Sequence, residues 1–120
     1  MNTKSIGNYG EDIACKYLKK NGYEIIERNY LTNLGEIDII AVAEGYLIFA
    51  EVKLRKSDAH GRASSAVNYH KQMKISQVAS SYIAKYRKFD VPVRFDVVEV
   101  YTDTNEVNLI KNAFDSFLRY

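Results

Sequence analysis

Asp38 and the Glu51-Val52-Lys53 triplet stand on two strand-like segments joined by a tight turn. Two carboxylates at such spacing could share one hard divalent cation. The segments are Gly35-Glu36-Ile37-Asp38-Ile39-Ile40-Ala41-Val42 and Tyr46-Leu47-Ile48-Phe49-Ala50-Glu51-Val52, both rich in β-branched and apolar residues, with Ala43-Glu44-Gly45 as the turn signal between them. If Glu44 and Gly45 form a two-residue loop, Ala43 faces Tyr46, Val42 faces Leu47 and Ile40 faces Phe49. The same ladder continued sets Asp38 opposite Glu51 and Glu36 opposite Lys53; a three-residue loop would shift it by one.

Directly opposed Cβ atoms lie about 4.5 to 5.5 Å apart, close enough for two carboxylates to share one cation. Unshared, the two acids repel. Lys53, two residues beyond Glu51, emerges on the same strand face. The alternative is an exposed polar face with a Glu36 to Lys53 ion pair. Against it, Ile40, Leu47 and Phe49 share that face, so the acids end an apolar patch. Glu36 itself could ligate a metal or hold Lys53.

These residues need a scaffold, and 120 residues with 47% hydrophobic content suffice for one domain with one core, taken as residues 1–120. No apolar run approaches the roughly 20 residues that cross a bilayer. Met1-Asn2-Thr3-Lys4-Ser5 lacks the apolar stretch of a signal peptide, so a cytoplasmic location and no membrane partner are expected. The single Cys15 agrees with a reducing compartment and is expected to face the core from a helix.

Ile6, Gly10, Ile13, Ala14, Tyr17 and Leu18 recur at helical spacing, with Gly22 as the stop. Residues 23–30 read as a strand, 31–34 as a turn, and the hairpin follows. Residues 54–63 read as a mobile loop. A Ser64 or Ser65 cap opens a second helix, faced by Ile75, Val78, Ala79, Tyr82, Ile83 and Tyr86 and ending near Lys88. Residues 91–100 form a fourth strand with Pro92 at its start, and Glu106–Ile110 a fifth. A long helix between the third and fourth strands allows a crossover, so the expected class is α/β with a mixed sheet flanked by helices.

The net charge of +2 announces no polyanion partner, but its distribution is uneven. Lys53, Arg55, Lys56, Arg62, Lys71 and Lys74 face only Asp58 over residues 53–74, a local +5, against −3 for the rest. The basic residues follow the acidic strand pair, where they could hold phosphates against a bound cation. His60 and His70 have no Cys or His at zinc-ligand spacing. Arg94 and Asp96 on the fourth strand read as a structural ion pair.

Glu11 within residues 7–14, Gly35-Glu36-Ile37-Asp38, Phe49-Ala50-Glu51-Val52-Lys53, Ala66-Val67 with Lys71-Gln72, and Arg94-Phe95-Asp96-Val97-Val98 together carry a resemblance. Their order resembles the restriction-endonuclease-like nuclease superfamily and, within it, the small archaeal Holliday junction resolvases. Nearly the whole chain looks like the YraN family of small bacterial proteins, predicted to be endonucleases. The resemblance implies an αβββαβ core and a metal-dependent endonuclease acting on DNA, branched DNA included. A nucleic-acid-binding protein with a vestigial or partner-dependent nuclease site is the rival reading. The implied roles are Mg2+ or Mn2+ at Asp38 and Glu51 with the Val52 carbonyl, and Lys53 orienting water or stabilising transition-state charge. Glu11 would complete the site, unless it serves only the dipole of the first helix, and Gln72 or Lys71 would contact a phosphate. Arg55, Lys56, Arg62, Lys71 and Lys74 would bind the nucleic acid, and the resolvases imply a homodimer.

Overall fold

The computed structural model describes residues 3–57 and 67–115. Helix α1, Thr3–Lys20, is followed by strands β1, Glu24–Thr32, β2, Gly35–Ala43, and β3, Tyr46–Arg55. Helix α2, Tyr69–Tyr86, then leads to β4, Val93–Tyr101, and β5, Glu106–Ile110. The five strands form one sheet in chain order, in which β3 and β4 run parallel and every other neighbouring pair is antiparallel. A parallel neighbour requires a crossover, and α2 lies in that connection. The αβββαβ order and mixed sheet are those of the restriction-endonuclease-like core, with β5 added at the edge.

The sheet is covered on both faces. Ile75, Val78, Ala79, Tyr82 and Ile83 of α2 pack with Ile40, Leu47, Phe49, Phe95 and Val97. Phe49 stands edge-on to Tyr82, with ring centroids 5.8 Å apart. Ala14, Cys15 and Leu18 of α1 pack on the other face with Ile39, Ala41, Ile48, Ala50, Val98 and Val100. Burial on both faces explains why β3 and β4 read as nearly continuous apolar runs. Cys15 is buried in the α1-side core, as its helical position suggested.

Glu44 and Gly45, at φ 55 and 82, form the two-residue turn between β2 and β3. The register follows from it: Ala43 pairs with Tyr46, Val42 with Leu47 and Ile40 with Phe49. The paired register ends at Ile39 and Ala50, one step short of Asp38 and Glu51 and well short of Glu36 and Lys53. The cause is a substitution of groups, because the Asp38 carboxylate, through Oδ2 at 2.9 Å, accepts the Val52 N–H.

Three element boundaries differ from the sequence expectation. β1 continues through Thr32, so the turn shrinks to Asn33 and Leu34, with the Thr32 hydroxyl accepting the Leu34 N–H. β3 continues to Arg55 instead of ending in a loop at Leu54, because β4 pairs with it as far as Tyr101. α2 is capped by Asn68, whose side chain accepts the Lys71 N–H. Ser64 and Ser65, expected as caps, lie outside the described residues, as do His60, Gly61 and Arg62.

Candidate metal and phosphate site

Asp38 sits at a gap in the ladders of β2. On its β1 side the Asn29–Asp38 rung is missing between Arg28–Ile39 and Tyr30–Ile37, with Asn29 at a left-handed φ of 53, while the register itself is kept; the shift in this pair lies earlier, between Ile25 and Glu27. On its β3 side the paired register has already ended. The facing of the strand slips as well: Ile37 and Ile40 both join the α2-side core, whereas Ile39 lies on the α1 side. A strictly alternating strand would have put Ile37 with Ile39. The expectation that Asp38, Glu51 and Lys53 share one regular strand face is therefore corrected. Asp38 lies where the alternation fails, and its carboxylate is aimed at the backbone of β3.

The two acids nonetheless come together. Burial, followed by the charge of Glu51, pushes the Asp38 carboxyl up to about 7, with Glu11 adding to the rise. The Val52 N–H opposes it. Glu51 is buried and its carboxyl is also raised, chiefly by burial, while Lys71 acts in the opposite sense. Lys71 Nζ lies 3.2 Å from Glu51 Oε1. The acids thus share a poorly hydrated site in which at least one proton or cation must offset two negative charges.

Glu11 approaches from α1. The helix begins at Thr3, so Glu11 sits in its third turn, beyond the reach of the N-terminal dipole. Its Oε1 is buried and has no hydrogen-bond partner, and Arg28 Nη2 stands 3.7 Å away. Arg28 is held more closely by Asp12, at 2.8 Å. The helix passes close to β3 at Gly10, where an added Cβ would crowd the Leu54 side chain. Among the described residues, no three His, Cys, Asp or Glu side chains converge tightly enough to form a three-ligand cluster. Asp38, Glu51 and a backbone carbonyl such as that of Val52 are a fitting oxygen donor set for a cation that retains several waters.

Lys53 follows on β3, its ammonium held below the usual lysine range by burial and by Arg55, with Glu51 and Glu99 working against them. Arg55 Nε is 3.5 Å from Glu99 Oε2, and Lys56 is exposed at the strand end. Lys71 and Lys74 are exposed on the first turns of α2. Gln72 donates its amide to the Val67 carbonyl at 2.7 Å, while Lys71 reaches the acid Glu51. Glu36 is exposed.

Arg94 and Asp96 form a closed structural group. Arg94 donates twice to Asp96, at 2.9 and 3.0 Å, Tyr23 donates to Asp96 at 2.8 Å, and the Asn112 N–H donates at 3.0 Å. All of the Asp96 surface is buried among these donors. Sequence reasoning missed Glu99, which is 3% exposed and pairs in register with Lys53. Asn108 donates to its Oε1 at 2.8 Å. The signal was the two-residue period that puts Glu99 on the face of Phe95 and Val97, but its nearness to Lys53 depends on a parallel register that local sequence does not display.

Residues 10–100 match the profile of the uncharacterised protein family UPF0102, the YraN family. The chain belongs to this family. A UPF0102 protein of Caldanaerobacter subterraneus is 44% identical over 119 residues, which cover 95% of this chain and 98% of that one. A family member from Clostridioides difficile is 46% identical over 114 residues, covering 95% of this chain and all of the relative. The family match spans α1 from Gly10 through β4, and so includes Glu11, Asp38, Glu51 and Lys53. Among solved structures, Pyrococcus furiosus SfsA in complex with Ca2+ aligns at a TM-score of 0.37 and 11% identity. That alignment covers 95% of this chain but 65% of SfsA. No described helix is long and apolar enough to cross a membrane.

Proposed function

We propose that the protein is a metal-dependent endonuclease that hydrolyses phosphodiester bonds of DNA, with Mg2+ or Mn2+ held by Asp38, Glu51 and the Val52 carbonyl. The observation that carries the reading is the buried Asp38–Glu51 pair, in which desolvation and then the charge of Glu51 push Asp38 up to about 7. The unpartnered Glu11 oxygen close to that pair supports it, since a bound cation and its waters supply the missing donors.

When bound, the ion supplies Lewis-acid stabilisation and lowers the pKa of a coordinated water. The chain's own residues do the remainder. With a cation held there, Asp38 would be deprotonated, so that both acids would serve as charged ligands. Lys53, fixed on a strand rather than a loop, offers an ammonium to the negative charge that grows on the phosphate oxygens in the transition state. Lys71 pairs with Glu51 in the metal-free chain and, with a cation held there, would be available to a substrate phosphate. Val52 and Ala50 belong to the packed strand, which keeps Glu51 and Lys53 at fixed separation.

One observation favours the second reading, a nucleic-acid-binding protein whose site does not turn over: the described residues hold no three-ligand cluster. The two readings separate in one experiment. Labelled duplex, single-stranded, flap and four-way-junction DNA, with RNA alongside, are incubated with the protein, Asp38→Ala and Glu51→Ala in Mg2+, Mn2+ or EDTA. The nuclease reading expects cleavage of at least one DNA substrate in metal, with a drop of about a hundredfold or more in each variant, in line with the loss of a group that stabilises transition-state charge. Binding without cleavage by all three proteins would leave the binding module, and equal cleavage by the variants would remove this site from the chemistry.

A further inference from the structure

A surface cavity of about 360 Å³ opens at the far end of β3, lined among the described residues by Ser57, Tyr101, Glu106, Val107 and Asn108. It lies on the same strip as the acid pair. Tyr101 is the register neighbour of Arg55, and Glu106 that of Tyr101. Arg55 is four residues beyond Glu51, about 13 Å along a strand. Lys53 and Arg55 lie along β3 between Glu51 and the cavity, and Lys56 directly precedes Ser57 of its lining.

The chemistry of the cavity is opposite to that of its approach. Glu106 lines it, and the buried Glu99 lies behind Asn108, so a phosphate would be repelled from the interior and held by the cations outside. Asn108 is oriented by Glu99: with its Nδ2 donating to Glu99 Oε1, its Oδ1 is the atom left to accept. Ser57 donates its hydroxyl to Asp103, which makes its own oxygen an acceptor towards anything else. The cavity therefore combines three acceptors with the ring of Tyr101. The volume is at the small end of the range for small-molecule sites.

We propose that this cavity binds one unpaired nucleobase of a nucleic acid strand whose phosphates run along Lys53, Arg55 and Lys56, with the base against Tyr101 and its amino group donating to Asn108 Oδ1 and Glu106. A base held in a duplex keeps that edge paired inside the stack, where the cavity's acceptors cannot meet it. The inference deepens the nuclease reading by naming its substrate as nucleic acid with an unpaired segment, and it rests on that reading only for what happens at Asp38. An acceptor-lined cavity discriminates: cytosine carries an exocyclic amine where thymine and uracil carry a carbonyl.

The test reads binding in EDTA, where no cleavage occurs. Fluorescence anisotropy with labelled oligo(dC), oligo(dT) and a duplex, and with the matching oligo(C) and oligo(U), compares the full chain with Tyr101→Leu, Tyr101→Phe, Asn108→Ala and Glu106→Gln. The expected result is tighter binding of the cytosine strand by roughly three- to tenfold, the net worth of about one hydrogen bond. Tyr101→Leu should weaken single-strand binding by about fivefold or more, the loss of one stacked base, and Tyr101→Phe should restore it. Asn108→Ala and Glu106→Gln should reduce the cytosine preference, and duplex affinity should stay within about twofold throughout. Whichever sugar series shows the base preference identifies the strand the site accepts. Because Asn108→Ala also releases Glu99, the exposed Glu106→Gln serves as the variant whose folding is not in question. Equal affinity for cytosine and thymine strands, or a preference untouched by both Tyr101→Leu and Glu106→Gln, would overturn the proposal. So would an absence of single-strand binding. A nuclease dependent on Asp38 with no Tyr101-dependent binding would leave the nuclease reading standing alone, and Tyr101-dependent binding with no cleavage would leave the base site alone.

Discussion

At the scale of single residues, Asp38 carries the sharpest consequence. Its carboxyl is held at about 7 in the folded chain, against about 4 in the unfolded chain. Between those values the folded form binds the extra proton, so the Asp38 contribution to metal-free stability falls as pH rises from 4 to 7 and is flat on either side. The fall should be on the order of 2 kcal/mol, smaller than a full three-unit shift implies because water reaches part of the site. Asp38→Asn keeps an acceptor for the Val52 N–H and has no proton to lose. Urea melts in EDTA at pH 5 and pH 8 should show the variant losing most of this slope and becoming the more stable protein at pH 8; an unchanged slope would mean that Asp38 is not the group responsible. The nearness of Asp38 to Glu51 was legible because Glu44-Gly45 fixes a hairpin register over the preceding rungs. What the sequence did not display was the break at Asp38 itself, since a left-handed Asn29 and a side chain that takes over a backbone hydrogen bond leave no periodic trace.

The elements have to hold these residues still, and α2 shows how narrowly that is done. Its body was legible from the spacing of Ile75, Val78, Ala79, Tyr82 and Ile83, whereas its start was not, because Ser64, Ser65 and Asn68 are all chemically competent caps. Asn68 holds the Lys71 N–H at 2.9 Å, so the residue that caps the helix also sets the root of the side chain that reaches Glu51. Asn68→Ala should cost about 1 kcal/mol in a thermal or urea melt. It should also loosen Lys71 from Glu51, so a melt of Asn68→Ala combined with Lys71→Ala should show less than the sum of the two single losses. Strict additivity would separate the cap from the ion pair. The crossover itself was legible from element order, but the β3–β4 register that brings Glu99 beside Lys53 belongs to tertiary packing.

Over the whole molecule, two sets of charged groups have different tasks, and perturbation separates them. The buried Tyr23–Arg94–Asp96 group joins the start of β1 to β4 and, through Asn112, to the segment after β5. Asp96→Ala leaves the Arg94 cation buried with its main partner gone and should cost about 3 to 5 kcal/mol. Below its lowered melting temperature, the variant should bind Mn2+ within about twofold of the parent in a calorimetric titration; a large loss would move Asp96 into the metal site. The second set lies along the other face, where the five cations Lys53, Arg55, Lys56, Lys71 and Lys74 are opposed by Asp38, Glu51, Glu99 and Glu106 on a chain whose total is only +2. A patch of that size releases few counterions. For a single strand, the logarithm of affinity should fall with the logarithm of salt at a slope of about −2, and Lys56→Ala should make it shallower by roughly 0.7. Asp96→Ala should leave the slope alone, because its charge is spent inside the fold. A slope steeper than about −4 would require more cations than this strip contains, and would place the binding surface elsewhere or on more than one copy of the chain.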